Sequence, residues 1–167
     1  NLNGDAVVAN RGLGQGPGSS GITMIAAEVE DCVDANDNGM IETSSGFDDT
    51  LAWGQDECVL WHRPFAHKSI RPVAWTAGEF NEASCEYEQP MVWTGTSLSS
   101  DNGSDTSTAK VYRLDGATGE VDAEVEIEGW CQGDARTLYG GAVDSEDNFW
   151  VIGAYTNCVA KVDNDDL

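Results

Sequence analysis

Gly140-Gly141-Ala142-Val143-Asp144-Ser145-Glu146-Asp147-Asn148-Phe149-Trp150-Val151, followed closely by Val159-Ala160-Lys161-Val162-Asp163, is the stretch whose reading decides the fold class. Short apolar runs, Gly141-Ala142-Val143 and Phe149-Trp150-Val151-Ile152, flank the polar punctuation Glu146-Asp147-Asn148. Aromatic and β-branched runs bounded by Asx-rich turns read as antiparallel strands. An earlier stretch has the same order of parts. Met91-Val92-Trp93-Thr94-Gly95 and Val111-Tyr112-Arg113-Leu114-Asp115 match Phe149-Trp150-Val151-Ile152-Gly153 and Val159-Ala160-Lys161-Val162-Asp163. The first parts lie 58 residues apart (91 to 149) and the second parts 48 (111 to 159). The polar segment Ser99 to Thr108 accounts for the difference as a loop insertion. A weaker third copy is Ala6-Val7-Val8-Ala9-Asn10 with Ile22-Thr23-Met24-Ile25-Ala26, and related strands, Arg71 to Trp75 and Tyr139 to Val143, precede the two clear copies.

Helical periodicity is nearly absent, and about ten short strand-like runs fill the chain, so strand content above about 35% and almost no helix are expected. Many short strands with regular turn signals read as a sandwich, barrel or propeller. Repeats of about 40–50 residues with several strands each select the propeller. The phrases quoted above, together with the Asp115-Gly116-Ala117-Thr118-Gly119 turn, resemble the repeats of streptogramin-lyase-like and NHL-type β-propellers. The resemblance covers residues 71–167, touches 4–26 loosely and leaves 30–70 outside. It implies an all-β, propeller-like region of three to four blades, part of a larger ring, occupying residues 1–167 as one unit. The alternative is a β-sandwich. Catalysis in the lyase family relies on a histidine and acidic residues in the central channel with a magnesium ion, and no motif in this chain places those residues.

The chain has 167 residues, 40% of them hydrophobic, which is enough for one domain with a real core. Thirty acidic residues face eight basic ones, for a formal net charge of -22. Such a surface repels nucleic-acid phosphates and anionic membranes, which excludes both as main partners. No apolar run approaches the roughly 20 residues of a membrane-spanning helix. The acidity has three readings: cation ligation, solubility in a saline medium, and a solvated surface.

The most ordered local motif is Asp34-Ala35-Asn36-Asp37-Asn38-Gly39-Met40-Ile41-Glu42, the opening of an EF-hand-type calcium loop. Calcium takes six to eight hard oxygen ligands at about 2.3–2.6 Å. Asp34, Asn36 and Asn38 at alternate positions offer side-chain oxygens, Gly39 permits the turn, and Met40 offers its carbonyl. Position twelve is Ser45 instead of Glu, and no helix flanks the loop. A further carboxylate must therefore come from Glu42, Asp48, Asp49, Asp56 or Glu57, and Glu42 and Asp49 complete the expected set. The loop lies in an insertion at about residues 30–62.

Five cysteines, Cys32, Cys58, Cys85, Cys131 and Cys158, form no CxxC pair, which points away from a zinc ribbon and toward disulfides in an oxidising compartment. Cys32 and Cys58 flank the loop and are expected to pair. Both chain ends read as cuts, as in a processed chain or a piece of a longer protein. Asp101-Asn102-Gly103-Ser104-Asp105 reads as a solvated tip, and Asn102 fits a glycosylation sequon. Gly12-Leu13-Gly14-Gln15-Gly16 lacks a following helix, which weakens a nucleotide-binding reading. The histidines, His62 and His67, offer a proton shuttle or metal ligands in one reading and are ordinary surface or packing residues in the simpler one. The expected function is a secreted, calcium-stabilised, non-enzymatic binding or assembly module with a protein or carbohydrate partner, or one that self-assembles. The rival readings are a metal-dependent propeller lyase or lactonase and a surface-layer or filament protein. A metal held on the axis by several blades would favour catalysis, and one in a peripheral loop would favour a structural role.

Overall fold

The computed structural model describes residues 1–12, 20–67, 69–97, 108–131, 138–154 and 157–167. The segment 101–105, with Asn102, lies outside these residues, as does most of the 12–16 glycine run. Twelve strands form among the described residues: β1 (Ala6–Asn10), β2 (Ser20–Ile25), β3 (Val59–Phe65), β4 (Val73–Trp75), β5 (Glu79–Asn81), β6 (Glu86–Glu88), β7 (Met91–Ser97), β8 (Ala109–Asp115), β9 (Val121–Ile127), β10 (Leu138–Val143), β11 (Phe149–Gly153) and β12 (Val159–Val162). They take up 46% of these residues, which contain no α-helix and one short 3-10 turn, Val29–Asp31. The chain is all-β. No helix among the described residues is long and apolar enough to cross a membrane.

The strands pair antiparallel into three principal sheets, β1-β2-β3, β4-β7-β8-β9 and β10-β11-β12, with β5-β6 as a separate hairpin. Each principal sheet runs in chain order from one edge to the other. The starting strands are neighbours in space, β4 touching both β1 and β10. The described residues do not close into a barrel or ring.

The middle sheet is covered on both faces, because strand residues alternate sides. Val92, Tyr112 and Leu114 pack with Ile22, Phe65 and Ile70 in one core. Trp93, Ala109 and Val111 pack with Leu138, Phe149, Val151 and Val162 in the other. Val92 and Trp93 are adjacent, and both are 0% exposed. Trp93 stacks on Phe149 with ring centroids 5.5 Å apart, and its Nε1 donates to the Asp147 carbonyl at 3.2 Å. Arg113 crosses the same junction, donating through Nη1 to Asn164 Oδ1 (2.7 Å). Gly95 has no room for a side chain, since a Cβ there would meet Leu138 Cδ1 at 2.8 Å.

Cross-strand register exposes a repeat and corrects the one read from sequence. Ala74 pairs with Trp93, which pairs with Arg113. Ala142 pairs with Trp150, which pairs with Lys161. Ala9 pairs with Ile22, which pairs with Arg63. Trp93 is therefore the counterpart of Trp150, and Val92 that of Phe149, one residue out of step with the alignment of Met91 on Phe149. In the third copy Ala6 to Asn10 corresponds to the first strand of a sheet, not to the Met91 strand. A one-residue slip exchanges the two faces of a strand, so only the pairing partners fix the frame.

The turns follow Asx chemistry. Asp144 Oδ1 accepts the backbone N–H of Glu146 (3.0 Å) and Asn148 (3.1 Å), and Oδ2 accepts Trp150 Nε1 (2.7 Å). The indole hydrogen bond, with the backbone N–H groups behind it, holds the Asp144 carboxyl down at about 2. With the folded value below the unfolded one, this contribution is present above the unfolded value and is lost as pH falls through about 2. In an NMR titration the Trp150 indole N–H resonance should shift with a midpoint near 2, and a midpoint at the ordinary 3.8 would show that the hydrogen bond does not form. Trp93→Ala should cost about 3–5 kcal/mol in urea unfolding, as for a large buried aromatic. A cost below about 1 kcal/mol would mean that the two-sided core is not the main support of the fold.

Candidate metal loop

The connection from β2 to β3 holds the Asp34 motif, so it hangs from the outermost strand of the first sheet, at the edge opposite β1. Cys32 and Cys58 close it as a disulfide, 26 residues apart in sequence with Cα atoms 4.4 Å apart. The backbone ties the same ends: Val33 N donates to Glu57 O (3.1 Å) and Glu57 N to Glu42 O (2.9 Å). Closing a loop of this length is worth roughly 3–4 kcal/mol in the chain-entropy account.

Within the closure the chain coils around its own side chains. Asp34 Oδ1 accepts Asn38 N (3.2 Å), and Oδ2 accepts Gly39 N (2.8 Å). Asn36 Oδ1 accepts Asn38 N (3.1 Å), and Asn38 Oδ1 accepts Met40 N (2.8 Å). The coil needs left-handed backbone at Asp37 (φ 58°) and Gly39 (φ 83°). Glycine takes this conformation without a Cβ penalty, and aspartate is among the residues that tolerate it.

The centre of the coil is acidic. Asn36 Nδ2 donates to Glu42 Oε2 (2.8 Å) and to Glu57 Oε1 (3.2 Å), while Asn38 Nδ2 donates to Glu42 Oε1 (2.9 Å). Two carboxylates thus converge on one amide nitrogen. Glu57 is buried, 8% exposed, and also accepts the backbone N–H of Ala35 (2.9 Å) and Glu42 (2.9 Å). The amides of Asn38 and Asn36 hold the Glu42 carboxyl below the usual carboxylate range. An open recess of about 390 Å³, lined by Ala35, Asn36, Glu42, Leu51, Gln55 and Glu57, leads to this centre.

Asp34, Asn36, Asn38 and Glu42 are therefore brought together, and the Met40 side chain points to solvent, 64% exposed, leaving its backbone in the coil. Asp49 sits elsewhere: its Oδ2 accepts the Ser45 hydroxyl (2.6 Å) across a local turn bridging Gly46 and Asp49. Position twelve of the motif, Ser45, is thereby spent on Asp49, and the ninth position, Glu42, reaches the centre. Asp56 caps a neighbouring turn through Ser44 N (3.0 Å) and Thr43 Oγ1 (2.9 Å). Glu57 is the centre's most buried acid. Its sequence signal is only its place beside Cys58, which becomes meaningful once the disulfide folds it back. Among the described residues no three His, Cys, Asp or Glu side chains form a ready metal cluster. The loop's oxygens come from amides and carbonyls as much as from carboxylates.

His62 borders this centre, lining a recess with Ala35, Trp53 and Glu57, while His67 packs against Tyr112. His62 Nδ1 is 2.9 Å from Thr23 Oγ1, burial lowers its pKa, and Trp53 meets its ring edge-on at 4.9 Å. His67 Nε2 is 2.6 Å from the Tyr112 hydroxyl. Cys131 pairs with Cys158, Cα atoms 5.6 Å apart, and Cys85 is the free, exposed thiol. No family model matches the chain, and no curated protein or solved structure shows significant similarity to it.

Glu57→Gln should loosen the loop, because the amide nitrogen would face one of the two N–H groups, Ala35 or Glu42, that the carboxylate accepts on separate oxygens; the expected cost is about 1–3 kcal/mol. Faster hydrogen exchange confined to the Ala35 and Glu42 amides would report it. Unchanged protection at both would show that the Glu57 carboxylate does not organise the coil.

Proposed function

We propose that this chain is a secreted, non-enzymatic binding or assembly module with a propeller-like arrangement of sheets, stabilised by calcium in the Asp34 loop. The observation that carries the reading is the convergence of Glu42 and Glu57 on Asn36 Nδ2. A buried carboxylate beside a second one is costly without nearby positive charge. The amide nitrogen stands where a cation would serve better. Asp34, Asn36, Asn38, Glu42 and Glu57 would supply side-chain oxygens, the two asparagines by turning their amide oxygens inward, and Met40 its carbonyl. Bound calcium supplies the positive charge that lets these oxygens stay close.

The place of the loop supports a structural role for the ion. It hangs from the far edge of the first sheet, away from the neighbouring starting strands β1, β4 and β10. His67 hydrogen-bonds the Tyr112 hydroxyl and His62 the Thr23 hydroxyl. Two disulfides suit an oxidising compartment. The propeller-like reading draws support from three chain-ordered sheets, adjacent starting strands and the repeated Ala–apolar–cation row.

At -22, self-repulsion opposes the compact state, and a bound divalent cation relieves part of it. At free calcium a hundredfold above its dissociation constant, the fold gains about 2.7 kcal/mol. A chelator should lower the melting temperature at low and at high sodium chloride alike, with salt alone recovering only part of the loss. Calorimetry should show calcium binding that Asp34→Ala removes. If chelation leaves the low-salt melt unchanged, or Asp34→Ala keeps the parent affinity, the loop is an Asx-rich turn and the proposal fails.

A further inference from the structure

From Gly12 to His62 the chain contains no lysine or arginine, while Glu28 to Glu57 alone holds ten acidic residues. The insertion therefore has no base of its own. It also exposes apolar side chains, Val33, Phe47, Leu51 and Trp53 among them. The recess of about 390 Å³ that leads to Glu42 and Glu57 adjoins a second of about 340 Å³, since Ala35, Gly54 and Glu57 line both. Together they form one groove, with Leu51 at one end and Val33, Trp53, Trp61 and His62 at the other.

The walls of this groove differ in what they leave open. Trp61 is fixed: its indole N–H donates to the Gly116 carbonyl (2.9 Å), and its ring lies against Gly119, where a Cβ would meet it at 2.5 Å. Trp53 meets the His62 ring at 87° and is otherwise open, 71% exposed. Asp56 lines the same recess. Its Oδ1 accepts Thr43 Oγ1 (2.9 Å) and Cys58 N (3.1 Å), and its Oδ2 accepts Ser44 N (3.0 Å). A carboxylate has about four acceptor positions, so Oδ2 keeps one. Arg63, the base that follows in the sequence, faces away, because strand residues alternate sides and His62 takes the groove side. Elsewhere in the molecule such a ring and carboxylate hold a guanidinium between them: Arg113 Cζ lies 5.7 Å over Trp93, and its Nη2 pairs with Asp122 at 2.6 Å. A second guanidinium, that of Arg71, lies 4.7 Å over Tyr139. Trp53 and Asp56 present the ring and the carboxylate with no cation of the chain beside them among the described residues.

We propose that this groove docks an arginine-bearing segment of another protein, its guanidinium laid on Trp53 and paired with Asp56, its apolar side chains against Val33 and Leu51. The negative face of an indole attracts a cation. A guanidinium is planar, so it can stack on the ring and still reach a carboxylate with its fork, which an ammonium cannot match. The acids of the insertion draw in a cationic partner and repel an anionic one. A neutral sugar could use the ring but would gain nothing from that charge. The inference rests on the binding reading above and names its partner chemistry; it does not depend on the bound ion, since the disulfide and the Glu57 hydrogen bonds hold the groove's walls.

Titration of the whole chain with two synthetic peptides tests it, one alternating arginine with leucine and one alternating lysine with leucine at the same length and charge. The readout is affinity together with the NMR shift of the Trp53 indole N–H. The arginine peptide should bind about tenfold tighter and move that resonance. Trp53→Ala should lower its affinity about tenfold and erase the difference between the peptides, and Trp53→Phe should recover part of it. Phe80→Ala, at an exposed aromatic on the acidic β5-β6 hairpin, should change nothing. Sodium chloride should weaken both peptides and leave the arginine preference, since screening acts on the open charges. Near-ultraviolet circular dichroism checks that each variant is folded. Equal binding of the two peptides, unaltered by Trp53→Ala, overturns the proposal, because the acidity alone then attracts them. So does a Trp53 shift with a neutral glucose oligomer and none with the arginine peptide, which would make the groove a carbohydrate site. Calcium calorimetry on the same samples keeps the readings apart: an arginine preference without calcium affinity sinks only the metal loop, and calcium affinity without an arginine preference sinks only this inference.

Discussion

The central strand β7 must be dry on both faces, and the rest of the structure depends on that constraint. Along β7 two consecutive residues, Val92 and Trp93, are fully buried in different cores. Strands buried on both sides lose the usual apolar–polar alternation. Here β7 runs from Met-Val-Trp into Thr-Gly-Thr-Ser, so its far half is lined by small residues. Thr94, fully buried, stays satisfied by donating to the Pro72 carbonyl at 2.8 Å. Gly95 leaves the gap that Leu138 fills. The first sheet leans on one face of this strand pair and the third on the other, so both depend on the same few side chains.

Much of the acidity is turn chemistry. Asp34, Asp115 and Asp144 use one device: a carboxylate oxygen accepts backbone N–H groups a few residues ahead. Such Asx turns compete well with strand continuation and set where each strand ends. The acids of β9 lie on the solvent side, where Lys110 and Arg113 pair with them. Exposed pairs of this kind contribute little to stability.

The loop between β2 and β3 is organised by closure instead of by a hydrophobic core. Its exposed apolar side chains, Phe47 at 97% and Trp53 at 71%, find little cover. The disulfide, two backbone hydrogen bonds and the buried Glu57 carboxylate hold it. A segment built this way responds to redox state and to the charge at its centre more than to changes in the sheets.

Local chemistry was legible in the sequence by itself. The strands, their Asx turns, the near absence of helix, the insertion and the ordered oxygens at Asp34, Asn36 and Asn38 all depend on neighbours within a few residues. Alternation and turn propensity act at that range. The repeat was legible as a repeat but not in its frame, because aligning Met91 with Phe149 or Val92 with Phe149 looks equally good as text. Only the partners Ala74 and Arg113, far apart in the chain, decide which face Trp93 takes. The same holds for Asp49 and Glu57, both acids at similar distance from the motif. Tertiary closure by the disulfide turned Glu57 inward and left Asp49 to Ser45. Which sheet faces are covered, and so why Trp93 is buried while Trp150 is exposed, depends on packing between sheets. No stretch of sequence carries that information alone, since the two tryptophans sit in nearly the same local words.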